Sequence, residues 1–183
     1  MYKKTKLFLA SIAIFSGLLS ASEHRLVVHG FTKHLHDTDR FSGDEFNEKN
    51  YGIGYKYTTY DEEDKSDIGQ FYFTASVSVI KDSFSNPFYF ASLGGEYRFN
   101  DIPLSFGLDG MIGSKILYHW NTSDGGETYQ ETGYNYAPIF GVMPNVAIHI
   151  GDLSVNYNYS PSIQFYNLYI EGFHYLYFTY KFN

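Results

Sequence analysis

The stretch FYFTASVSVIKDSFSNPFYFASLGGEYRF, residues 71–99, decides the fold of this chain. Two runs in which every second residue is apolar flank a short polar segment, Lys81-Asp82-Ser83. The alternating apolar positions are Phe71, Phe73, Ala75, Val77 and Val79 in the first run and Tyr89, Ala91, Leu93, Tyr97 and Phe99 in the second. A period of two over about ten residues predicts β-strands. One apolar face and one small, polar face are typical of a soluble sandwich or of a membrane barrel, in which lipid covers the apolar face.

The composition favours the barrel and excludes several classes of protein. Aromatic residues make up 20% of the 183 residues, which suits the aromatic girdles of a membrane barrel. A mean hydropathy of -0.28 is compatible with a barrel, since half of each strand is polar. The net charge of -7 argues against nucleic-acid binding, which requires a basic surface. The absence of cysteine excludes disulfides, a thiol nucleophile and Cys-based metal sites.

The N-terminus has the pattern of a secretory signal. Basic residues precede the apolar segment 7–19, and small residues follow at 20–22. The apolar segment is shorter than the roughly 20 residues that a membrane-spanning helix needs. We therefore expect a signal peptide over residues 1–21 and a single β-barrel domain over residues 22–183.

Eight strands are predicted in the mature chain, at about 25–34, 50–60, 69–80, 88–99, 104–115, 136–149, 153–160 and 173–182. Longer connections alternate with shorter ones, as in outer-membrane barrels with long outer loops and short periplasmic turns. The predicted fold is therefore an all-β, eight-stranded antiparallel transmembrane barrel of the outer membrane, acting as a monomer. A secreted β-sandwich is the alternative.

Asp82 and Ser83 are the first candidates for chemistry, because a carboxylate and a hydroxyl serve acyl transfer when a histidine joins them. Asp-Ser is also ordinary turn chemistry, so the turn interpretation stays open. The first strand offers His29 in its middle and His34 and His36 near its outer end. No carboxylate motif accompanies these histidines, so we expect neither a metal site nor a cofactor.

Two further patterns concern the barrel wall and the lumen. The inward positions include five charged residues, namely Lys56, Glu96, Arg98, Asp109 and Lys115. Charges inside a small barrel are costly unless paired, so we expect a salt-bridged plug in its lower half. Pro138, Pro144 and Pro161 each remove a ladder donor near the sixth and seventh strands. They either end the strands or mark a lateral opening for a lipid chain.

Four motifs together resemble a known family. They are residues 81–84, Gly94 with Glu96, residues 135–161 with their spaced prolines, and residues 46–52. Their order and spacing resemble the lipid A palmitoyltransferases of Gram-negative outer membranes over most of residues 26–183. The resemblance implies an enzyme that moves a palmitoyl chain from a phospholipid donor to lipid A.

The resemblance also implies residue roles. His29 would act as general base, Asp82 would orient it, and Ser83 would be the nucleophile or a hydroxyl donor. His34 is a rival for the histidine, because the spacing from His29 requires a gap. Gly94 would form the floor of an acyl pocket. Prolines would flank a lateral lipid gate, at Pro144 and Pro161.

The chain departs from this family in ways that keep a second hypothesis open. The family's N-terminal amphipathic helix is absent, Asn50 replaces a proline, and the loop 116–135 is expanded. The second hypothesis is a non-enzymatic small outer-membrane barrel for adhesion or membrane integrity. An apolar cavity ending at Gly94 would favour the enzyme, whereas a fully packed polar lumen would favour the second hypothesis.

Overall fold

A computed structural model describes residues 21–36, 45–61, 65–123, 128–161, 163–165, 168–170 and 172–182. The predicted signal peptide lies outside these residues, except for Ala21. The strands are β1 (Ala21–His34), β2 (Gly52–Tyr60), β3 (Gly69–Lys81), β4 (Pro87–Phe99), β5 (Leu104–Ser123), β6 (Thr128–Ile150), β7 (Leu153–Ser160), β8 (Ile163–Phe165), β9 (Leu168–Ile170) and β10 (Phe173–Lys181).

Eight of these strands close into an antiparallel barrel, in the order β1-β10-β7-β6-β5-β4-β3-β2. The remaining two, β8 and β9, form a separate small hairpin. The predicted eight-stranded barrel is confirmed, and closure excludes the secreted sandwich. Closure also removes the edge strands that such an aromatic-rich sheet would otherwise expose.

The distribution of side chains is that of a membrane barrel, with apolar residues outside and polar residues inside. Large apolar residues exposed on the wall include Ile53, Phe73, Val77, Leu93, Ile112, Phe140, Val142 and Ile148. Fully buried polar residues include Thr58, Ser105, Ser154, Asn158 and Thr179. A soluble barrel would reverse this arrangement. The chain is therefore an outer-membrane barrel. In the part of the chain that is described, no helix is long and apolar enough to cross a membrane.

The start of β1, the end of β10 and the short turns all lie at the same opening of the barrel, which is the periplasmic one. The amide N–H of Lys181 donates to the carbonyl of Asp152 at 2.8 Å, and that of Phe182 donates to His24 at 3.1 Å. The turn before β3 meets the turn after β4, since Asn100 N–H donates to Ile68 at 3.0 Å. The loop that carries Ser83 therefore lies at the outer end.

The lower lumen contains the predicted ionic plug. Lys56 Nζ lies 3.1 Å from a carboxylate oxygen of Glu96, and Arg98 Nε lies 2.7 Å from the other. Arg98 also reaches Glu23 at 2.9 Å, and Arg25 reaches the same carboxylate at 2.9 Å. The plug is therefore a continuous network of paired buried charges. Asp109 bonds instead to polar neutral groups, and the side chain of Lys115 lies outside the described part.

The prediction of a loop over residues 116–135 was wrong. β5 and β6 stay paired well past the barrel, from Lys115↔Ala137 to Ser123↔Thr128. The ladder between β4 and β5 already ends at Tyr89↔Ser114. We call this two-stranded extension, residues 115–123 and 128–137, the ribbon. At about 3.3 Å per residue it is roughly 30 Å long.

Candidate functional site

The Asp82-Ser83 segment forms a tight turn at the outer end of the barrel. Asp82 Oδ1 accepts hydrogen bonds from the amides of Phe84 at 2.9 Å and Asn86 at 2.8 Å. Ser85 adopts a positive φ of 68° within the turn. An aspartate that bonds the amides two and four residues on is a usual turn element. The carboxylate of Asp82 therefore shapes this loop.

Ser83 pairs with His34, the rival histidine. Ser83 Oγ lies 2.9 Å from His34 Nε2. The His34 ring is buried and stacks on Phe46, with centroids 4.0 Å apart. The segment before β2 holds this cluster in place, because the amide of Asn47 donates to the Ser83 carbonyl at 2.7 Å. Ser83 and His34 thus belong to an aromatic and hydrogen-bonded cluster at the outer rim.

His29 lies deeper in the lumen and has different partners. Its Nε2 lies 2.9 Å from Ser78 Oγ, and its Nδ1 hydrogen-bonds with the Tyr175 hydroxyl. The side chain is only 4% exposed. The structure therefore does not assemble the predicted trio of His29, Asp82 and Ser83. The physical reason is that Ser78 and Tyr175 already occupy both ring nitrogens of His29.

Gly94 lies at a close contact between β4 and β5, and its place at the floor of an acyl pocket stays a prediction from sequence. A Cβ atom at Gly94 would collide with Asp109 Oδ1 and with the Leu108 carbonyl. Asp109 is fixed there by two bonds, from Thr74 Oγ1 at 3.1 Å and from Asn145 Nδ2 at 2.7 Å. The glycine is thus required by the close approach of β5, and polar groups fill the lumen beside it.

The cavity in the mid-lumen is too small for a lipid chain. The cavity between His29 and Asp109 measures about 30 Å³, about the volume that one water occupies in the liquid. Pockets for drug-sized ligands measure roughly 300–1,000 Å³. A larger cavity of about 530 Å³ opens at the periplasmic end, next to Asp152 and Lys181. It lies at the opposite end of the barrel from Ser83. The packed polar lumen is the outcome that favours the non-enzymatic hypothesis.

Pro144 and Pro161 flank a stretch in which β6 and β7 are not paired. The ladder between these strands runs from Ile150↔Leu153 to Asn145↔Asn158, one residue below Pro144. Pro161 directly follows the end of β7. The prolines therefore limit pairing as their chemistry predicts. The lateral lipid gate at these prolines stays a prediction from sequence.

The ribbon is the structural element that the sequence interpretation missed. Within the described residues, β5 beyond Ser114 pairs only with β6, and β6 above Asn145 pairs only with β5. Two signals in the sequence indicate a hairpin here. The segments are rich in Tyr, Trp and Thr, which favour strands, and Asp124-Gly125-Gly126 is typical of a hairpin turn.

Comparisons with known proteins identify no family. No protein-family model matches the chain, and no curated protein matches it. The Yersinia pestis outer membrane protein Ail, in a phospholipid bilayer nanodisc, is 12% identical with a TM-score of 0.44, over 88% of this chain and 100% of that one. Yersinia pestis Ail in complex with the heparin analogue sucrose octasulfate is 12% identical with a TM-score of 0.41, over 88% of this chain and 97% of that one. Neisserial surface protein A is 14% identical with a TM-score of 0.32, over 88% of this chain and 96% of that one.

These findings correct the interpretation drawn from the sequence motifs. No protein-family model matches the chain, and the mid-lumen cavity of about 30 Å³ is far too small for a palmitoyl chain. The predicted membership in the lipid A palmitoyltransferases was wrong. The predicted acyltransferase activity was wrong as well, and the phospholipid donor and the lipid A acceptor are not supported. Motifs of this kind also arise from the needs of any small barrel, namely turns, close strand contacts and strand ends.

Proposed function

We propose that this chain is a non-enzymatic outer-membrane barrel that serves attachment, and that the ribbon is its contact element. The observation that supports this proposal is the continuation of the β5–β6 ladder beyond the barrel, up to Ser123↔Thr128. A paired ribbon holds its shape away from the membrane surface, which a flexible loop of equal length does not. Binding residues are disproportionately found on segments that a rigid scaffold positions in this way.

The barrel below supports the same proposal because it is built as a scaffold. Its lumen is filled by paired charges around Glu96, which is 2% exposed. A barrel of eight strands leaves little aqueous bore even without such a plug. Transport through the lumen is therefore a poor fit. We further propose that the barrel acts as a monomer, since closure pairs its eight strands within one chain.

The test is to shorten the ribbon without disturbing the barrel. Residues 118–134 are replaced by Asn-Gly, a two-residue turn that joins the directly paired Leu117 and Asn135. Bacteria that express the wild type or this variant are compared for attachment to cultured epithelial cells. The matched control is Ser83→Ala, which leaves the ribbon intact. We expect at least a tenfold loss for the shortened variant and none for the control. Unchanged attachment with equal surface display would contradict the proposal.

A further inference from the structure

We propose that the cavity at the periplasmic end of the barrel binds a phosphate group, which Arg98 and Lys181 hold. The cavity measures about 530 Å³ and is lined by side chains of the lower lumen and by the turns 100–103 and 151–152. This volume lies within the roughly 300–1,000 Å³ of pockets that hold small ligands. The site lies at the opposite end of the barrel from the ribbon, so this inference goes beyond the proposed attachment function.

The ionic network beside this cavity holds more cations than carboxylates. Three basic groups converge on the single carboxylate of Glu23, with Arg25 and Arg98 at 2.9 Å and Lys181 at 3.3 Å. Positive charge that is taken out of water without a full complement of acids is costly, and a bound anion reduces that cost. In all, the network joins four cations, Arg25, Lys56, Arg98 and Lys181, to two carboxylates, Glu23 and Glu96.

Three further acids lie nearby, but in the described part of the chain none of them forms an ion pair with this network. Asp109 bonds instead to Thr74 and Asn145. Asp101 and Asp152 belong to exposed turns at the mouth of the cavity, where water and salt screen their charges. The positive charge next to the cavity is therefore only partly balanced.

The guanidinium of Arg98 is held in position to bind a further oxygen. Its Nε donates to Glu96 at 2.7 Å, and its Nη1 donates to Glu23 at 2.9 Å. The Tyr72 ring stacks against the guanidinium carbon at 3.9 Å and fixes the plane of the group. A guanidinium carries more N–H donors than these two carboxylates accept. The remaining donors suit a phosphate, whose oxygens match the planar fork of arginine.

Lys181 supplies a second donor to the same place. Its side chain is 31% exposed, and its Nζ lies 3.3 Å from Oε1 of Glu23. Arg98 contacts the other oxygen, Oε2, of that carboxylate. Because both cations contact one carboxylate, a single phosphate in the cavity can reach both of them. The ammonium group has three donors, so the bond to Glu23 leaves donors for this ligand.

The charge and the location of the site indicate the class of ligand. A phosphate monoester carries about two negative charges at neutral pH, which matches the excess of cations in the network. The cavity opens at the periplasmic end, so the phosphate comes from a dissolved periplasmic compound or from the headgroup of a phospholipid in the inner leaflet. Both sources offer the same chemistry to Arg98 and Lys181.

The experiment uses the full chain in maltoside micelles, which contain no phosphate. Inorganic phosphate is titrated by isothermal calorimetry at constant ionic strength, and glycerol 3-phosphate is titrated in parallel as a headgroup probe. We expect one-to-one binding with a Kd of about 1 mM or lower. Arg98→Lys keeps the charge but loses the fork and should weaken binding about tenfold or more. Lys181→Gln should weaken it about fivefold or more, and it remains informative where Arg98→Lys folds poorly.

The matched control is Lys33→Gln, which removes the same charge at the outer rim and should change the Kd less than about twofold. Absence of saturation up to about 10 mM of either probe overturns the inference. Equal losses for Lys181→Gln and Lys33→Gln overturn it as well, because they would show attraction to the overall charge only. Tighter binding of glycerol 3-phosphate supports a headgroup ligand, whereas equal binding of the two probes supports a dissolved phosphate. Lys181→Gln should leave attachment to cells unchanged, so failure of this inference leaves the attachment proposal intact.

Discussion

Two strands of the eight-stranded wall, β5 and β6, continue outward as the ribbon, and their surroundings differ between the two regions. Below Ser114, β5 has a neighbour on both sides, and its inward residues meet a filled lumen. Above Ser114, β6 is its only paired neighbour among the residues that the structure describes. The wall is stabilised by closure and by buried pairs, whereas the ribbon leaves main-chain groups available. The comparison teaches that one pair of strands serves two purposes. Below the outer rim β5 and β6 stabilise the barrel, and above it they form the element proposed for attachment.

The largest effect is expected where the lumen network is broken. Glu96 contacts Lys56, Arg98 and His149 at 3.1, 2.7 and 3.3 Å. Glu96→Ala removes the acidic partner of the buried Lys56 and one of the two acidic partners of Arg98, so it should lower the free energy of unfolding by about 3–5 kcal/mol. Urea unfolding of the refolded barrel in detergent measures the change.

The matched control is an exposed ion pair at the outer rim. Lys33 and Glu48 approach to 2.7 Å, and the Glu48 side chain is 43% exposed. Glu48→Ala should therefore change the free energy of unfolding by only about 0–1 kcal/mol. Equal effects of the two substitutions would show that the lumen network does not stabilise the wall.

A second prediction compares two glycines of the wall. A Cβ at Gly94 would lie 2.9 Å from the Asp109 Cα, too close for the main chain to accept without a shift. Gly94→Ala should therefore lower the free energy of unfolding by about 1–3 kcal/mol. At Gly141 the nearest atom is the flexible Met111 side chain, at 3.4 Å. Gly141→Ala should be neutral or stabilising by up to about 1 kcal/mol. The same urea titration tests both, and a tolerated Gly94→Ala would disprove the close approach.

A third prediction concerns the outer turn. Asp82→Ala removes the acceptor of two amide hydrogen bonds and should cost about 1–2 kcal/mol. Asp82→Asn keeps a side-chain oxygen and a turn-forming residue, so its effect should be smaller. Unfolding midpoints of the two variants give the comparison. An alanine variant as stable as the wild type would show that the carboxylate does not maintain the turn.

The smallest effect on stability is expected for the shortened ribbon. An isolated two-stranded ribbon is at best marginally stable in water, so its removal should change the free energy of unfolding by less than about 1 kcal/mol. The same variant is the one expected to lose attachment. A large loss of stability would mean that the wall depends on the ribbon, and the separation of the two regions would be wrong.

The sequence predicted the barrel because its pattern is local and repeated. Alternation over residues 71–99 and the short turns at 100–103 and 151–152 were enough to place the eight wall strands. The charges at Lys56, Glu96 and Arg98 share one parity, so their pairing in the lumen could also be predicted. The signal peptide and the residues proposed for a catalytic role stay predictions from sequence.

The ribbon and the partners of His29 could not be predicted in the same way. Above Ser114 the polar content resembles a loop, and only the pairing of β5 with β6 shows that it is a strand. Ser78 and Tyr175 are far from His29 in sequence and meet it only after closure. The family resemblance favoured His29 over its rival His34 as the partner of Ser83, whereas the fold brings His34 to Ser83.

Lipid A mass spectrometry tests the central claim most directly, namely that this barrel is a packed scaffold without an acyl-chain site. Lipid A is extracted from cells that display the folded wild-type barrel in the outer membrane and from matched cells without it. The packed lumen around Asp109 and Gly94 predicts identical mass spectra. An added acyl mass that disappears with Ser83→Ala would contradict the account.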